Sequence, residues 1–443
     1  MTSKREHWGS RLGFIMAAAG SAVGLGNIWK FPYVTGENGG AAFIILYLAL
    51  VFTIGISVLG AEMVIGRKSQ HDAVSSFKKL GTPGWSVIGY MGILAAFVIL
   101  SFYAVIAGWT IAYIVKTVSG SFSGLDGDGF TNAFVGFIAD PVQPLIYAAI
   151  FMALTAVIVM GGIKQGIERA GKILMPLLFI IMIALVVRSV TLPGAEAGIS
   201  FYLEPDFSKI TGSTVMAALG QAFFSLSLGM GVMITYGSYL SKEEKLGKSS
   251  FYVGFLDTAV AIIAGLAILP AVFAMGMDPS AGPALTFITL PAVFDSMPGG
   301  VIFGGLFFFL LTIAALTSSI SLMEPVVSFA GERGISRGKA VIGTAVIAFI
   351  LGVPSSLSQG VMSDVTFFGK GFLDLMDFFT ANLLLPLGGM LVSLYVGWVM
   401  GAKAKEEMGG DNLLINIWII ILRFVAPAAI ALILLNGLGI LSL

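Results

Sequence analysis

Gly20-Ser21-Ala22-Val23-Gly24-Leu25-Gly26-Asn27 lies in the middle of an apolar stretch, opening at Leu12, that is long enough to cross a bilayer. Glycines open a helix in lipid only where the freed N–H and C=O groups find protein, water or an ion. An interruption at Gly24-Leu25-Gly26 therefore implies a polar hollow at membrane depth. A second one, Gly229-Met230-Gly231, interrupts a corresponding apolar stretch in the other half of the chain. Paired interruptions at matching places mark such a hollow as a site for a solute. A single Gly-x-Gly would be better read as close helix packing. Two matched ones, with Asn27 beside the first, reverse that preference.

Working outward, 57% of the 443 residues are hydrophobic and 11% charged, with 34 Phe; a soluble domain carries roughly 25% charge. Apolar stretches of about 20 residues, the span of a hydrocarbon core, recur eleven times between Leu12 and Leu438. The breaks fall near Glu37, Arg67 to Gly84, Ser119 to Pro144, Gly161 to Gln165, Arg188 to Ile210, Ser241 to Lys248, Asp278 to Pro298, Gly331 to Gly338, Val353 to Lys370 and Ala402 to Asp411. With the N-terminus inside, 18 of the 24 Lys and Arg face the cytoplasm, five lie outside (Lys30, Lys116, Arg188, Lys209, Lys370), and Arg423 lies within the last helix. That asymmetry orients the chain N-terminus in and, with an odd number of spans, C-terminus out. Helices 1 to 5 (11–190) and 6 to 10 (211–401) then start on opposite sides of the membrane, as an inverted repeat within a single domain (1–443), with helix 11 (412–438) outside it.

A net charge of zero and no dense Lys/Arg run exclude a nucleic-acid partner. Cysteine is absent, which removes disulfides and thiolate chemistry. His7 and His71 are expected as solvated cytoplasmic residues. Met1 to Trp8 is polar and leads into helix 1 without a cleavage site, so no removable signal is expected. Carbonyls freed at the first break are hard oxygen ligands suited to an alkali cation, and Asn27 adds a side-chain oxygen. The helix N-terminus after the break suits a carboxylate.

Arg5-Glu6-His7-Trp8, Gly20 to Asn27, and Phe31-Pro32-Tyr33 with Glu37-Asn38-Gly39-Gly40 resemble the first helix of the neurotransmitter:sodium symporter family. Gly220-Gln221-Ala222-Phe223-Phe224-Ser225-Leu226-Ser227-Leu228-Gly229 resembles its sixth helix, and Leu316-Thr317-Ser318-Ser319 its eighth. The resemblance implies an all-α integral membrane protein of the LeuT-type fold, a 5+5 inverted repeat with helices 1 and 6 broken, in an eleven-helix bacterial form that lacks Asn-x-Ser/Thr sequons. It implies a transporter, not an enzyme: a sodium-coupled symporter in the plasma membrane, working in the bilayer as a monomer or weak dimer. Two sodium ions are expected. The first would take the carbonyl of Ala22, Asn27, Ser225, Asp257 and the substrate's own carboxylate, which couples the two ligands. The second would take the carbonyls of Gly20, Val23 and Ala314 with the hydroxyls of Thr317 and Ser318. Standing alone, such a hydroxyl pair would be read as bonded back to its own helix.

Asp257 departs from the family's usual Asn. A lone carboxylate at membrane depth is costly and functional by default. Animal members hold a chloride nearby with a serine four residues on, where this chain has Ala261, so Asp257 is expected to replace the chloride's charge. Monoamine carriers place an Asp where Gly24 stands, so Gly24 implies an α-amino acid that brings its own carboxylate. Ala22, Gly24, Leu25, Gly26, Ser225 and the Tyr103 hydroxyl would hold its backbone. Ile99, Phe224, Ser227, Met230, Ser319 and Leu322 would line a mostly apolar pocket for a hydrophobic or aromatic L-side chain, with flexible Met230 allowing repacking. By the same matching, Lys30 and Asp377, with Gln221 and Phe224 over Tyr103, would gate the outside; Arg5 and Trp8 would pin the N-terminus to Glu332, assisted by Tyr239, inside. Glu62 is expected to bond the open backbone of helix 6, and Glu324 is a further intramembrane carboxylate. An amino-acid-sensing receptor on the same fold and a carrier restricted to one aromatic amino acid are the alternatives. No ring-forming motif favours a channel, and no nucleophile–base pair or metal motif an enzyme.

Overall fold

The computed structural model describes residues 6–279, 282 and 285–441. Among these, nine helices are long and apolar enough to cross a membrane: α2 (Ala41–Ser69), α3 (Pro83–Val118), α4 (Gln143–Met160), α5 (Ile163–Val190), α7 (Leu246–Ala274), α8 (Gly300–Glu332), α9 (Arg337–Leu357), α10 (Phe372–Met400) and α11 (Leu413–Gly437). The span α1 is a bent pair, Arg11–Ala22 and Gly26–Glu37, turning by 52°. The span α6 consists of Gly212–Ser225 and Val232–Gly237, each too short to cross alone. Eleven spans result, in the order expected from the apolar stretches.

Both breaks are where the glycines put them, but the second is wider than its Gly-x-Gly. The first half of α6 already ends at Ser225, ahead of both glycines, because Ser227 itself takes φ 54°, followed by Gly229 at 80° and Gly231 at 66°. A left-handed serine is disfavoured in isolation. Here its hydroxyl is held by the carbonyl of Ser21 at 3.1 Å.

Apolar contact between helices gains little in lipid, so small residues and interhelical hydrogen bonds set the packing, each bond contributing about 0.6 kcal/mol. Thr110 of α3 meets Thr312 of α8 at 2.8 Å, and Ser21 of α1 meets Ser321 of α8 at 2.7 Å. Gly108 lets α3 approach the Ala148 backbone of α4. The most apolar window of α3 is 72% buried and that of α11 only 22%, which makes α3 a central post and α11 a peripheral, lipid-facing helix.

Candidate functional site

The last carbonyls of the first half of α1 have no helical partner, and a buried one must find a donor elsewhere. Val23 O accepts from Thr317 Oγ1 at 3.3 Å and Ser318 Oγ at 3.2 Å, and Ser21 O accepts from Ser318 Oγ at 3.3 Å. Thr317 also bonds its own helix at Ala314 O, 3.0 Å, whereas both of these Ser318 bonds leave its helix for α1. Gly20 abuts Thr317: a Cβ there would lie 3.2 Å from the Thr317 Cβ. Thus the Val23 and Ala314 carbonyls meet the Thr317 and Ser318 hydroxyls, with Gly20 packed beside Thr317, as neutral hard oxygens of a kind that suits an alkali cation. Among the described residues no group of three His, Asp or Glu could hold a metal ion instead.

The second cluster is built around Asp257, fully buried on α7. Ser225 Oγ donates to its carboxylate at 2.8–2.9 Å, and Asn27 Nδ2 donates to Asp257 Oδ1 at 2.7 Å and to Ser225 Oγ at 3.0 Å. No basic side chain pairs with Asp257 among the described residues, so its partners are the amide and hydroxyls. The Asn27 oxygen points away, accepting from Gly24 N at 3.1 Å. The amide thus offers its nitrogen, not its oxygen, to this cluster; cation coordination by Asn27 requires it to turn over.

Between the clusters lies a cavity lined by Ala22, Gly24, Leu25, Gly26, Ile99, Tyr103, Phe224, Ser225, Ser227, Met230, Ser318 and Leu322. Leu25 N donates to the Tyr103 hydroxyl at 3.4 Å, so an open backbone donor and a phenol face the same space. Eleven of the twelve residues expected around the substrate line it. Ser319 does not: its hydroxyl bonds Thr155 on α4 at 2.7 Å and Leu316 O at 2.9 Å. One residue is about 100° around a helix, so Ser318, expected only as a cation ligand, takes the place at the wall.

Gates show further differences. Lys30 Nζ lies 4.6 Å from the centre of the Phe224 ring, and no ion pair within 4.0 Å joins it to Asp377 among the described residues. Phe224 packs on Gly26, where a Cβ would come within 3.1 Å of its ring, and Gln221 Nε2 donates to Gly26 O at 2.8 Å. On the opposite end Trp8 donates through Nε1 to Tyr236 O at 3.0 Å. Tyr239, however, donates its hydroxyl to Glu324 at 2.8 Å, where Arg337 also binds with both nitrogens, at 2.6 and 3.1 Å. Glu332 accepts from Asp72 N at 2.5 Å and contacts His71 Nδ1 at 3.1 Å, so the His71 side chain is solvent-exposed, as expected, and also partnered. Arg5 lies outside the described residues. Sequence reasoning misses Glu168; its carboxylate takes Gly9 N at 2.6 Å, Ser10 Oγ at 2.9 Å and Lys172 at 2.6 Å, anchoring the start of α1. The Glu168–Lys172 spacing of four on one helix is its only local trace.

Two interrupted helices closing a mainly apolar cavity, with freed backbone groups at its edge, define a secondary transporter. A model of the sodium:neurotransmitter symporter family matches residues 5–124 and 139–441, and the chain belongs to that family. It is 43% identical over 446 residues to the "uncharacterized sodium-dependent transporter YhdH" of Bacillus subtilis, covering 99% of each chain. A second sodium-dependent transporter, of Haemophilus influenzae, is 41% identical, with 98% of each covered. The crystal structure of MhsT in complex with L-phenylalanine superposes with a TM-score of 0.90 at 50% identity, over 98% of this chain and 100% of that one. The protein is accordingly a sodium-dependent, multi-pass membrane transporter with the LeuT-type fold.

Proposed function

We propose that the chain imports L-amino acids with hydrophobic or aromatic side chains together with two sodium ions, by alternating access and without chloride. The observation that carries this reading is the cavity: a mainly apolar wall from Ile99, Phe224, Met230 and Leu322, with freed backbone groups and the Tyr103 hydroxyl at one side. An amino-acid backbone finds its partners at the breaks, and its side chain finds a wall that rejects charge. Gly24 leaves space for a substrate carboxylate, and the bound L-phenylalanine of the related structure supports a substrate of this kind.

The two oxygen clusters are the sodium sites in this reading. Asp257 supplies a fixed negative charge beside Asn27 and Ser225, and Ala261 offers no hydroxyl to a chloride. The Lys/Arg asymmetry supports a cytoplasmic N-terminus in a bacterial plasma membrane, and the repeat units are 11–190 and 211–401 with α11 appended. Purified protein in liposomes should accumulate labelled L-phenylalanine when sodium is applied outside, equally in chloride and in gluconate. Unlabelled leucine, isoleucine, tyrosine and tryptophan should compete, and glutamate and lysine should not. Accumulation that ignores sodium would refute the coupling; competition by charged amino acids would refute the substrate class.

A further inference from the structure

Arg423 is the one basic residue that the sequence places inside α11, and neither the cavity nor the gates use it. It sits where α10 and α11 each widen into a π-type turn, Tyr395–Met400 and Ile421–Val425. Such turns are rare and tend to mark functional positions. The two turns exchange bonds: Arg423 Nε donates to Gly397 O at 2.7 Å, and Trp398 Nε1 donates to Arg423 O at 3.3 Å. Gly397 permits this approach, since a Cβ there would lie 3.0 Å from Arg423 Cγ. The guanidinium carbon lies 5.0 Å from the centre of the Trp398 ring, whose other neighbour is Phe424.

The guanidinium is thereby held by one nitrogen and one ring face. Among the described residues no carboxylate lies within 4.0 Å of it, no hydrogen bond takes its two Nη groups, and those groups are not enclosed. Around them Trp398 (55% exposed), Phe424 (56%) and Ile420 (54%) face outward, so the unused fork opens toward lipid. A cation at such a place requires a counter-charge. Trp398 is two residues from the end of α10, and the short helix Ala402–Met408 that follows carries exposed Lys403, so the fork lies near the headgroup level of the leaflet on that side.

We propose that this edge between α10 and α11 is a binding site for the phosphate of an anionic phospholipid, with Arg423 as the bidentate anchor and Trp398 as its platform. A planar fork of N–H donors matches two phosphate oxygens, and interfacial basic pockets between helices select anionic headgroups. The flanking residues are lipid-facing, which favours a lipid over a dissolved anion. A second copy is disfavoured as occupant, because α11 has no Asp or Glu to return to the arginine.

Native mass spectrometry of the purified transporter, titrated with phosphatidylglycerol and separately with phosphatidylcholine, tests the site. The wild type should retain a phosphatidylglycerol adduct that phosphatidylcholine does not give. Arg423→Gln should hold it about tenfold more weakly, the loss of one charge-assisted pair, and Arg423→Lys should fall between. Equal retention by R423Q, or no preference between the lipids, would overturn the proposal. So would displacement of the adduct by millimolar inorganic phosphate, or a dimer peak lost in R423Q with no lipid adduct in the wild type. If R423Q does not fold, Trp398→Ala should show the weakened adduct with the charge in place, and undiminished retention there would count against the site.

Discussion

Glu62 of α2 accepts the backbone N–H of Gly229 at 2.7 Å, so a buried carboxylate from one helix holds open the interruption of another. Gly229 has φ 80° and presses against the Leu385 backbone of α10, leaving its N–H no helical acceptor. Glu62→Ala should strand that donor at a cost of about 1–3 kcal/mol, lowering both the unfolding midpoint and substrate affinity. Glu62→Gln keeps an acceptor oxygen and should lose much less. Thermal unfolding and substrate binding by E62A and E62Q check the point; equal losses would mean that the charge, not the acceptor, matters.

Asp257→Asn removes the only charge from the cluster of Asn27 and Ser225 while keeping its shape. Uptake by D257N should become dependent on chloride or disappear. Chloride-independent uptake at the wild-type rate would show that the carboxylate does not stand in for an anion.

Thr317 and Ser318 reach from α8 to the open end of α1 at Val23. Replacing both by Ala should weaken apparent sodium affinity roughly tenfold or more, at about 1 kcal/mol per lost oxygen contact. Gly24→Ala should have a related effect, because its Cβ would collide with Ser318 Oγ and come within 3.1 Å of the Tyr103 hydroxyl. Sodium titrations of substrate binding measure both; an unaltered affinity in the double variant would remove these residues from the cation site.

Outside the membrane, burial and then the neighbouring Glu332 push the Asp72 carboxyl above its usual range. Glu332 and Arg333 face it from the end of α8, the latter at 3.8 Å, and His71 and Ser75 flank it on its own loop. A folded-state value above the unfolded one means that its stabilising contribution is fully present below the ordinary carboxylate range. That contribution is lost as pH rises through the raised value. The wild-type unfolding midpoint should therefore fall over that interval, and Asp72→Asn should flatten the slope. A slope unchanged in D72N would assign it to another group.

Much of the architecture was legible because the signals are local. Membrane spans follow from runs of apolar residues that any stretch of sequence displays on its own, and the α1 break follows from Gly24 and Gly26, which need no distant partner to weaken a helix. Glu62 was also legible, since a carboxylate among apolar residues must find donors and the open backbone of α6 is where donors are free.

What the chain alone determined is thus which segments cross, where two of them open, and which polar residues lie at the depth of the openings. The partner of each side chain was decided only by how the helices rotate and lean together. Ser318 rather than Ser319 reaches the cavity because one step turns a side chain by about 100°. Tyr239 finds Glu324, and Lys30 rests on Phe224, because long side chains take the nearest complementary group in space. Distance between helices, not order along the chain, makes that choice.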